Sequence, residues 1–241
     1  MVIAFMKNFS RNMACHTTPR LDALIKILNN TDSVADIGSD HAYLPILLAK
    51  ADTEKKIIAS DIGTGPLSRA KNNVERFGLA NRIELRLGDG LDTLCVGETQ
   101  AIVIAGMGAN VICNILSKGE RVAKNAELLV LQPMTSAHEL RRFLYENGYV
   151  INNEILVRED RRIYTIILAK SGDSAGFCDV DCYISDALLK SKDVLFDEYL
   201  KNQKKRLVRA LGGMRRAKNK KVDINYYEKL IDALSRIEEN F

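Results

Sequence analysis

Short, almost wholly apolar runs alternate with longer stretches of helical period through the first two thirds of the chain. Residues 33–37, 56–60, 82–87, 101–105 and 127–132 read as strands. An unbroken run such as Ala101-Ile-Val-Ile-Ala105 suits a parallel strand covered on both faces. Residues 43–51, 66–77, 110–118 and 136–147 read as helices between them, and Gly78 and Gly148 close two of these as left-handed caps. Ahead of the series, Thr18-Pro19 supplies an N-cap and a first-turn proline for a helix carrying Leu21, Leu24, Ile25 and Leu28. Residues 1–16 show no clear periodicity and read as a loose arm. This is a βαβ series, which predicts a right-handed doubly wound α/β sheet.

The series ends on two strands, 149–157 and 162–170, joined by Arg158-Glu-Asp-Arg161. A hairpin there places one antiparallel strand among parallel neighbours, unlike an ordinary nicotinamide-binding domain. Ser171-Gly-Asp-Ser-Ala-Gly176 is small and polar and reads as a linker. It divides the chain into a sheet domain, 1–170, and a tail, 177–241. In the tail Leu188, Leu189, Leu195, Tyr199 and Leu200 recur at helical spacing, as do Tyr227, Leu230, Ile231, Leu234 and Ile237. Gly212-Gly213 between them marks the expected bend of an antiparallel helical hairpin, coiled-coil-like in pattern.

Composition narrows the setting. An apolar content of 46% over 241 residues is ample for one α/β core with an appendage. Lys7 interrupts the apolar start too early for a signal sequence, and the apolar stretch 102–116 is glycine-broken and shorter than a membrane span. The five cysteines form no C-x-x-C pair and stand at no metal-ligand spacing, so reduced thiols in a cytoplasmic protein, without metal, are expected. The net charge of +4 is modest, but residues 201–221 concentrate it. Lys201, Lys204, Lys205, Arg206, Arg209, Arg215, Arg216, Lys218, Lys220 and Lys221 lie there with no acidic residue among them. Such a run tracks a phosphate backbone or is simply a solvated helix face. No aromatic residue interleaves it, which favours the shape of folded RNA over a single strand.

Candidate chemistry gathers where strands should end. Asp36 closes the first strand, Gly38 follows, and a helix opens at once, so amide N–H groups face a bound ligand. Asp61 closes the second strand and is placed for a ribose diol. Gly88-Asp89-Gly90 follows the third, with Asp89 placed for an adenine amino group. Ala105-Gly106-Met107-Gly108 follows the fourth and brings a flexible backbone and a soft side chain. Each residue has a plainer reading: Asp36 as a loop brace, Asp61 as a helix cap, Asp89 as a turn residue, Met107 as core filler. His41, beside Asp40 at the loop mouth, is either a satisfied structural histidine or a cofactor or substrate contact. His16 and His138 read as incidental, and Cys113 as a small core residue.

The glycine pattern D-x-G-x-D-x-A is similar to the D-x-G-x-G-x-G loop of S-adenosylmethionine-dependent methyltransferases. More specifically, the chain resembles the bacterial tRNA (adenine-22-N1)-methyltransferase family over about residues 20–170. The resemblance rests on Asp36-Ile-Gly-Ser-Asp-His-Ala-Tyr-Leu-Pro45, Ala59-Ser-Asp-Ile62 with Gly65-Pro-Leu67, Gly88-Asp-Gly-Leu91, Ala105-Gly-Met-Gly108 and Leu131-Gln-Pro-Met134. The chain departs from the family at Ala109, at Ser185-Asp186 and at His16-Thr-Thr-Pro19. The fold implied is a Rossmann-like class I methyltransferase sheet of seven strands with a C-terminal α-helical, coiled-coil-like domain. The cofactor implied is S-adenosyl-L-methionine, held by Asp36, Gly38, Ser39, His41, Tyr43, Asp61, Ile62, Asp89, Gly90, Gly106 and Met107. The partner implied is tRNA, met by Arg20, Gln132, Pro133, Lys204, Lys205, Arg206 and Arg209, with the protein acting as a monomer. Adenine N1 keeps a lone pair at neutral pH, so in-line methyl transfer needs alignment more than a strong base. Asp40 is the candidate for stabilising the cationic product, with His41 beside it. The N-P-P-Y signature of amino-methylating enzymes is absent after the fourth strand. Methylation of another RNA or a small molecule, and a non-catalytic cofactor-binding RNA-binding protein, are the alternative readings.

Overall fold

The computed structural model describes residues 17–173, 176–216 and 224–240. The expected arm at 1–16 and Lys218, Lys220 and Lys221 of the basic run lie outside the described residues. Seven strands form one sheet in the order β3-β2-β1-β4-β5-β7-β6. They are β1 (Ser33–Ile37), β2 (Lys56–Asp61), β3 (Ile83–Leu87), β4 (Ala101–Met107), β5 (Leu128–Pro133), β6 (Tyr149–Glu159) and β7 (Arg162–Ser171). The first five pair in parallel, and β7 enters antiparallel between β5 and β6. The chain order reverses between β1 and β4, the switch point where doubly wound sheets open a crevice.

Side-chain alternation on the strands builds a core on each face. Val34, Ile57, Val103 and Val130 pack against α1 (Pro19–Leu28), α2 (Tyr43–Ala51) and α3 (Thr64–Arg76). Ala35, Ile58, Ile102 and Leu129 face the other way, onto α4 (Ala109–Lys118), α5 (Glu120–Asn125) and α6 (Ala137–Glu146). The predicted strands and helices are all present. Helix α3 starts two residues early, and Pro66 falls in its first turn, where no N–H is needed. The short α5 and a 3-10 turn, Gly90–Thr93, carried no periodic signal. Gly119 separates α4 from α5 because a Cβ there would lie 2.4 Å from Leu91 Cβ.

The tail differs from its sequence reading in one respect. Helix α9 (Phe196–Arg216) runs unbroken through Gly212-Gly213, so the bend expected there does not fall on the glycine pair; ahead of α9, Lys192 in the left-handed region (φ 50°) ends α8 (Asp186–Ser191). A glycine pair is tolerated inside a helix at about 1 kcal/mol each when packing holds its ends. The hairpin itself is present. Lys204 pairs with Glu238 at 2.6 Å and Arg215 with Glu228, so α9 and α10 (Ile224–Asn240) run antiparallel.

The tail is fastened to the sheet by a buried charge pair. Arg141 of α6 is 1% exposed and Glu154 of β6 is fully buried. Arg141 donates to Glu154, to the carbonyls of Cys182 and Tyr183 in the segment around α7 (Asp179–Tyr183), and to Tyr199 Oη of α9 at 2.9 Å. Glu154 also accepts from Thr165 and from Ser185, which caps α8. Burial pulls the Arg141 proton affinity down, but the charge of Glu154, together with Tyr199 and the hydrogen bonds to both, leaves it raised. Breaking such a pair leaves a buried ion uncompensated at about 3–5 kcal/mol. Arg141→Ala should therefore lose about that much in urea unfolding, and Glu154→Gln, which keeps the shape and one acceptor oxygen but leaves the guanidinium without its counter-charge, should lose stability too. An Arg141→Ala midpoint equal to wild type would contradict the fastening.

Candidate active site

The carboxyl ends of β1, β4 and β5 surround a cleft of about 250 Å³, walled by α1 and by the loop that opens α2. Asp36 sits at its floor, 9% exposed, in register with Ala59 of β2 and Val103 of β4. Gly38 turns the chain at φ 80°, and the amides of Gly38 and Ser39 both donate to the Ser60 carbonyl, at 2.8 and 2.9 Å. The turn needs glycine twice over. Its φ is left-handed, and a Cβ would stand 2.0 Å from Met107 Cε. Met107, at the end of β4, is thus folded over the loop rather than lost in the core. The Ser39 hydroxyl is buried without a hydrogen-bond partner.

Charge inside the cleft is unbalanced. Burial pushes the Asp36 carboxyl up to about 6; the nearby Ser39 hydroxyl pulls the other way, and the negative charge of Asp61 adds a smaller upward push. Asp61 accepts through Oδ1 at 2.8 Å from the backbone N of Gly63, the residue just ahead of α3, whereas the helix cap expected of it would hold an amide of the first turn. Its Oδ2 has no hydrogen bond among the described residues. Ile62 next to it is 68% exposed and Leu87, at the end of β3, 54% exposed, an apolar rim unusual for such side chains. Asp89 is engaged with Lys118 at 2.8 Å, and Gly90 turns at φ 55°.

At the mouth, Asp40 pairs with Arg69 of α3, 2.8 Å from its Nε. His41 Nε2 stands 3.7 Å from the other Asp40 oxygen and its ring stacks on Tyr43 at 5.2 Å. Asn73 donates to the His41 carbonyl at 3.0 Å. Ala42, buried and left-handed at φ 53°, swings this pair outward before α2 begins.

On the opposite wall Arg20 is a hub. It donates to Glu159 at 2.6 and 3.0 Å, to Gln132 Oε1 at 3.2 Å and to Met134 Sδ at 2.9 Å, and it lies over the Tyr164 ring at 4.4 Å. The Glu159 carboxyl is held below its ordinary range by that contact. Gln132 is 1% exposed and also accepts from Gly106 N at 3.2 Å, beside Pro133. Gly106 itself turns at φ 79°, where β4 breaks register against β5.

The structure therefore brings together Asp36, Gly38, Ser39, Asp40, His41, Tyr43, Gly106, Arg20 and Gln132 around one cleft. Asp61 and Asp89 end the adjoining strands. The tail cations are not in this cleft. Lys204 is committed to Glu238, while Lys205, Arg206 and Arg209 are exposed with no ion pair among the described residues. Arg69, Asn73, Lys118 and Glu159 carried no local signal, because their partners lie far away in the chain.

A doubly wound sheet with one inserted antiparallel strand and a cleft at its switch point defines the methyltransferase class. A family model described as a methyltransferase domain matches residues 17–167. The chain is 40% identical over 154 residues to the tRNA (adenine(22)-N(1))-methyltransferase of Bacillus subtilis, covering 64% of this chain and 65% of that protein, a little under two thirds of its length. Among solved structures, the B. subtilis m1A22 tRNA methyltransferase TrmK matches with a TM-score of 0.74 at 30% identity, over 93% of this chain and 97% of that one. A putative tRNA (m1A22) methyltransferase of Streptococcus pneumoniae, in complex with S-adenosyl-L-methionine, matches at 0.79 and 28%, over 92% and 100%. The chain belongs to the methyltransferase-domain family.

The raised Asp36 carboxyl makes a pH prediction. The folded state holds this proton up to about pH 6, whereas the unfolded chain releases it near the ordinary value of 3.8. The stability it confers is complete below pH 4 and lost as pH rises through 6, each tenfold difference in proton affinity being worth about 1.4 kcal/mol. Asp36→Asn should flatten that decline in denaturant titrations between pH 4 and 6.5. Parallel curves for the two proteins would show that Asp36 is not buried as described.

Proposed function

We propose that the protein transfers a methyl group from S-adenosyl-L-methionine to N1 of adenine 22 in tRNA, as a cytoplasmic monomer. The observation that carries this reading is the cleft itself, an acid at each of two neighbouring strand ends with two positive-φ glycines between its walls. The residues fit the cofactor. The orphaned Ser39 hydroxyl, the Gly38 backbone that no side chain could cover, and the uncommitted Asp61 Oδ2 are the donors and acceptors such a ligand requires. Asp61 would take the ribose hydroxyls, Ile62 and Leu87 the faces of the adenine ring, and Asp89 the amino group once Lys118 yields it. Gly106 and Met107 would flank the methionine end, with Ser39 and Gly38 opposite. Family membership, and the absence among the described residues of any helix long and apolar enough to cross a membrane, agree with this setting.

When bound, the cofactor supplies an electrophilic methyl on a sulfonium. The protein's part is to align the ring nitrogen with it and keep water out. The target base must leave its stack to enter. The His41–Tyr43 stack at the mouth is a surface on which an extruded base would rest. Asp40 braces His41, and because Arg69 offsets its charge, Asp40 acts by positioning more than as a bare anion toward the cationic product. We assign 1–170 to cofactor and chemistry, and 177–241 to holding RNA.

Incubation with unmodified tRNA and radiolabelled cofactor should place label at adenine N1. Label in a small molecule, in another RNA, or nowhere would overturn the proposal. Asp61→Asn should weaken cofactor binding by about 10- to 100-fold in calorimetry, the range for losing a charged hydrogen bond, with tRNA affinity unchanged.

A further inference from the structure

A second, larger pocket of about 560 Å³ lies between the sheet and the tail. One face of α9 lines it, with Tyr199, Gln203, Arg206, Leu207 and Ala210 at helical spacing. The start of α6 lines it with His138, and β7 with Arg162 and Tyr164. Tyr183 and Tyr227 complete the wall. Three properties set it apart from an ordinary seam between layers. No acidic residue lines it, although the chain carries 31 of them. Its two arginines, Arg162 and Arg206, are exposed and make no ion pair among the described residues, whereas Lys201, Lys204 and Arg215 on the same helix are each matched by a carboxylate. Its floor is aromatic: His138 stacks on Tyr183 at 4.7 Å, and Tyr164 lies beneath Arg20. Burial keeps the His138 imidazole below its ordinary proton affinity, so at neutral pH it is a flat, uncharged ring.

The pocket also adjoins the cleft. Arg20 forms the partition, touching Gln132 on the cleft side and Met134 and Tyr164 on the pocket side. Unpaired guanidinium groups with tyrosine faces are the chemistry that takes a nucleotide: forked donors for phosphate, flat rings for base or ribose. We propose that this pocket holds a nucleotide of the substrate RNA that flanks the methylated one, its phosphate between Arg162 and Arg206 and its base along the tyrosine wall. The inference rests on the tRNA reading above and adds to it which cations make contact. The basic run is not one track along the helix. Arg206 is its contributor to the pocket, and Arg162 of the hairpin, invisible in the run, is the counterpart.

The test uses the full chain and unmodified tRNA transcript, with binding read by fluorescence anisotropy across a salt series. Arg162→Ala and Arg206→Ala should each weaken tRNA binding about 3- to 10-fold. Each should reduce the slope of log affinity against log salt by about one, as expected when one phosphate contact is removed. KM for tRNA should rise with kcat changed less, and cofactor affinity in calorimetry should stay the same. Arg121→Ala, an exposed cation on α5 remote from either pocket, should leave all of these unchanged. If wild type methylates tRNA while both pocket variants bind it as tightly as wild type, this proposal falls alone. Equal weakening by Arg121→Ala would overturn it too, because a diffuse field would then account for the effect. If wild type methylates no tRNA at all, the functional reading falls and takes this one with it.

Discussion

The ion pair between Arg141 and Glu154 is the contact on which the arrangement of the two halves depends. Two charges this deeply buried would be costly if either lacked partners. Here the guanidinium and the carboxylate are each answered from several elements: α6, β6, β7, the carbonyls at the end of α7, the cap of α8 and a tyrosine of α9. Net stabilisation from such a pair against an apolar replacement is small, but its directionality is high. The apolar cluster of Leu156, Phe196, Leu200, Leu230 and Leu234 supplies adhesion with little preference for angle. The charge network supplies the angle. A tail docked in any other orientation would leave at least one of these ions unanswered, so the pocket between tail and sheet has a fixed shape.

The cleft follows from a different constraint, the crowding of backbone at parallel strand ends. Ser60 O receives two amides from the loop after β1, which draws that loop against β2; the turn puts Gly38 at a left-handed φ of 80°, with the end of the Met107 side chain of β4 close against it. Burial raises the Asp36 carboxyl, with the nearby charge of Asp61 adding a little. Depth alone separates the two acids: Asp36 lies on the floor, while Asp61 stands nearer the rim with Oδ2 free of hydrogen bonds among the described residues. Gly106 matters for the reverse reason. An added Cβ would meet nothing within 4 Å there, so it is the φ of 79° and the amide's bond to Gln132 that define the bend of β4.

What was legible in the sequence was whatever is encoded within a dozen residues. Strand runs, helix caps, the hairpin and the loops beginning at Asp36, Asp61, Asp89 and Gly106 all fall in that class, and each was found in place. Contacts made by folding were not legible. Arg69 meets Asp40 across 29 positions and Arg20 meets Glu159 across 139, with nothing local to announce either. The basic run misled in the same way. Read alone it is unopposed, yet Glu238 and Glu228 arrive from the antiparallel helix and neutralise Lys204 and Arg215. The tail's bend was expected at Gly212-Gly213 because a glycine pair is a strong local signal for one, yet α9 runs straight through it.

Arg20 joins the two constraints. It is fixed on the hairpin side by Glu159 and Tyr164 and on the cleft side by Gln132, which in turn holds the Gly106 amide. A shift of the hairpin relative to α1 cannot leave the β4 turn untouched, since one guanidinium is bonded to both. The hairpin is also the surface on which the tail sits, through Glu154 and Thr165. The path from tail to cleft is therefore a short chain of charge-assisted and amide hydrogen bonds through packed strands, running beside the apolar cluster around Leu156 and Phe196. Such a connection favours a rigid frame over a hinge. The two pockets then keep a constant separation, and what enters one must match, in length and curvature, what enters the other. A folded RNA presents that fixed spacing between neighbouring nucleotides; a free nucleoside does not.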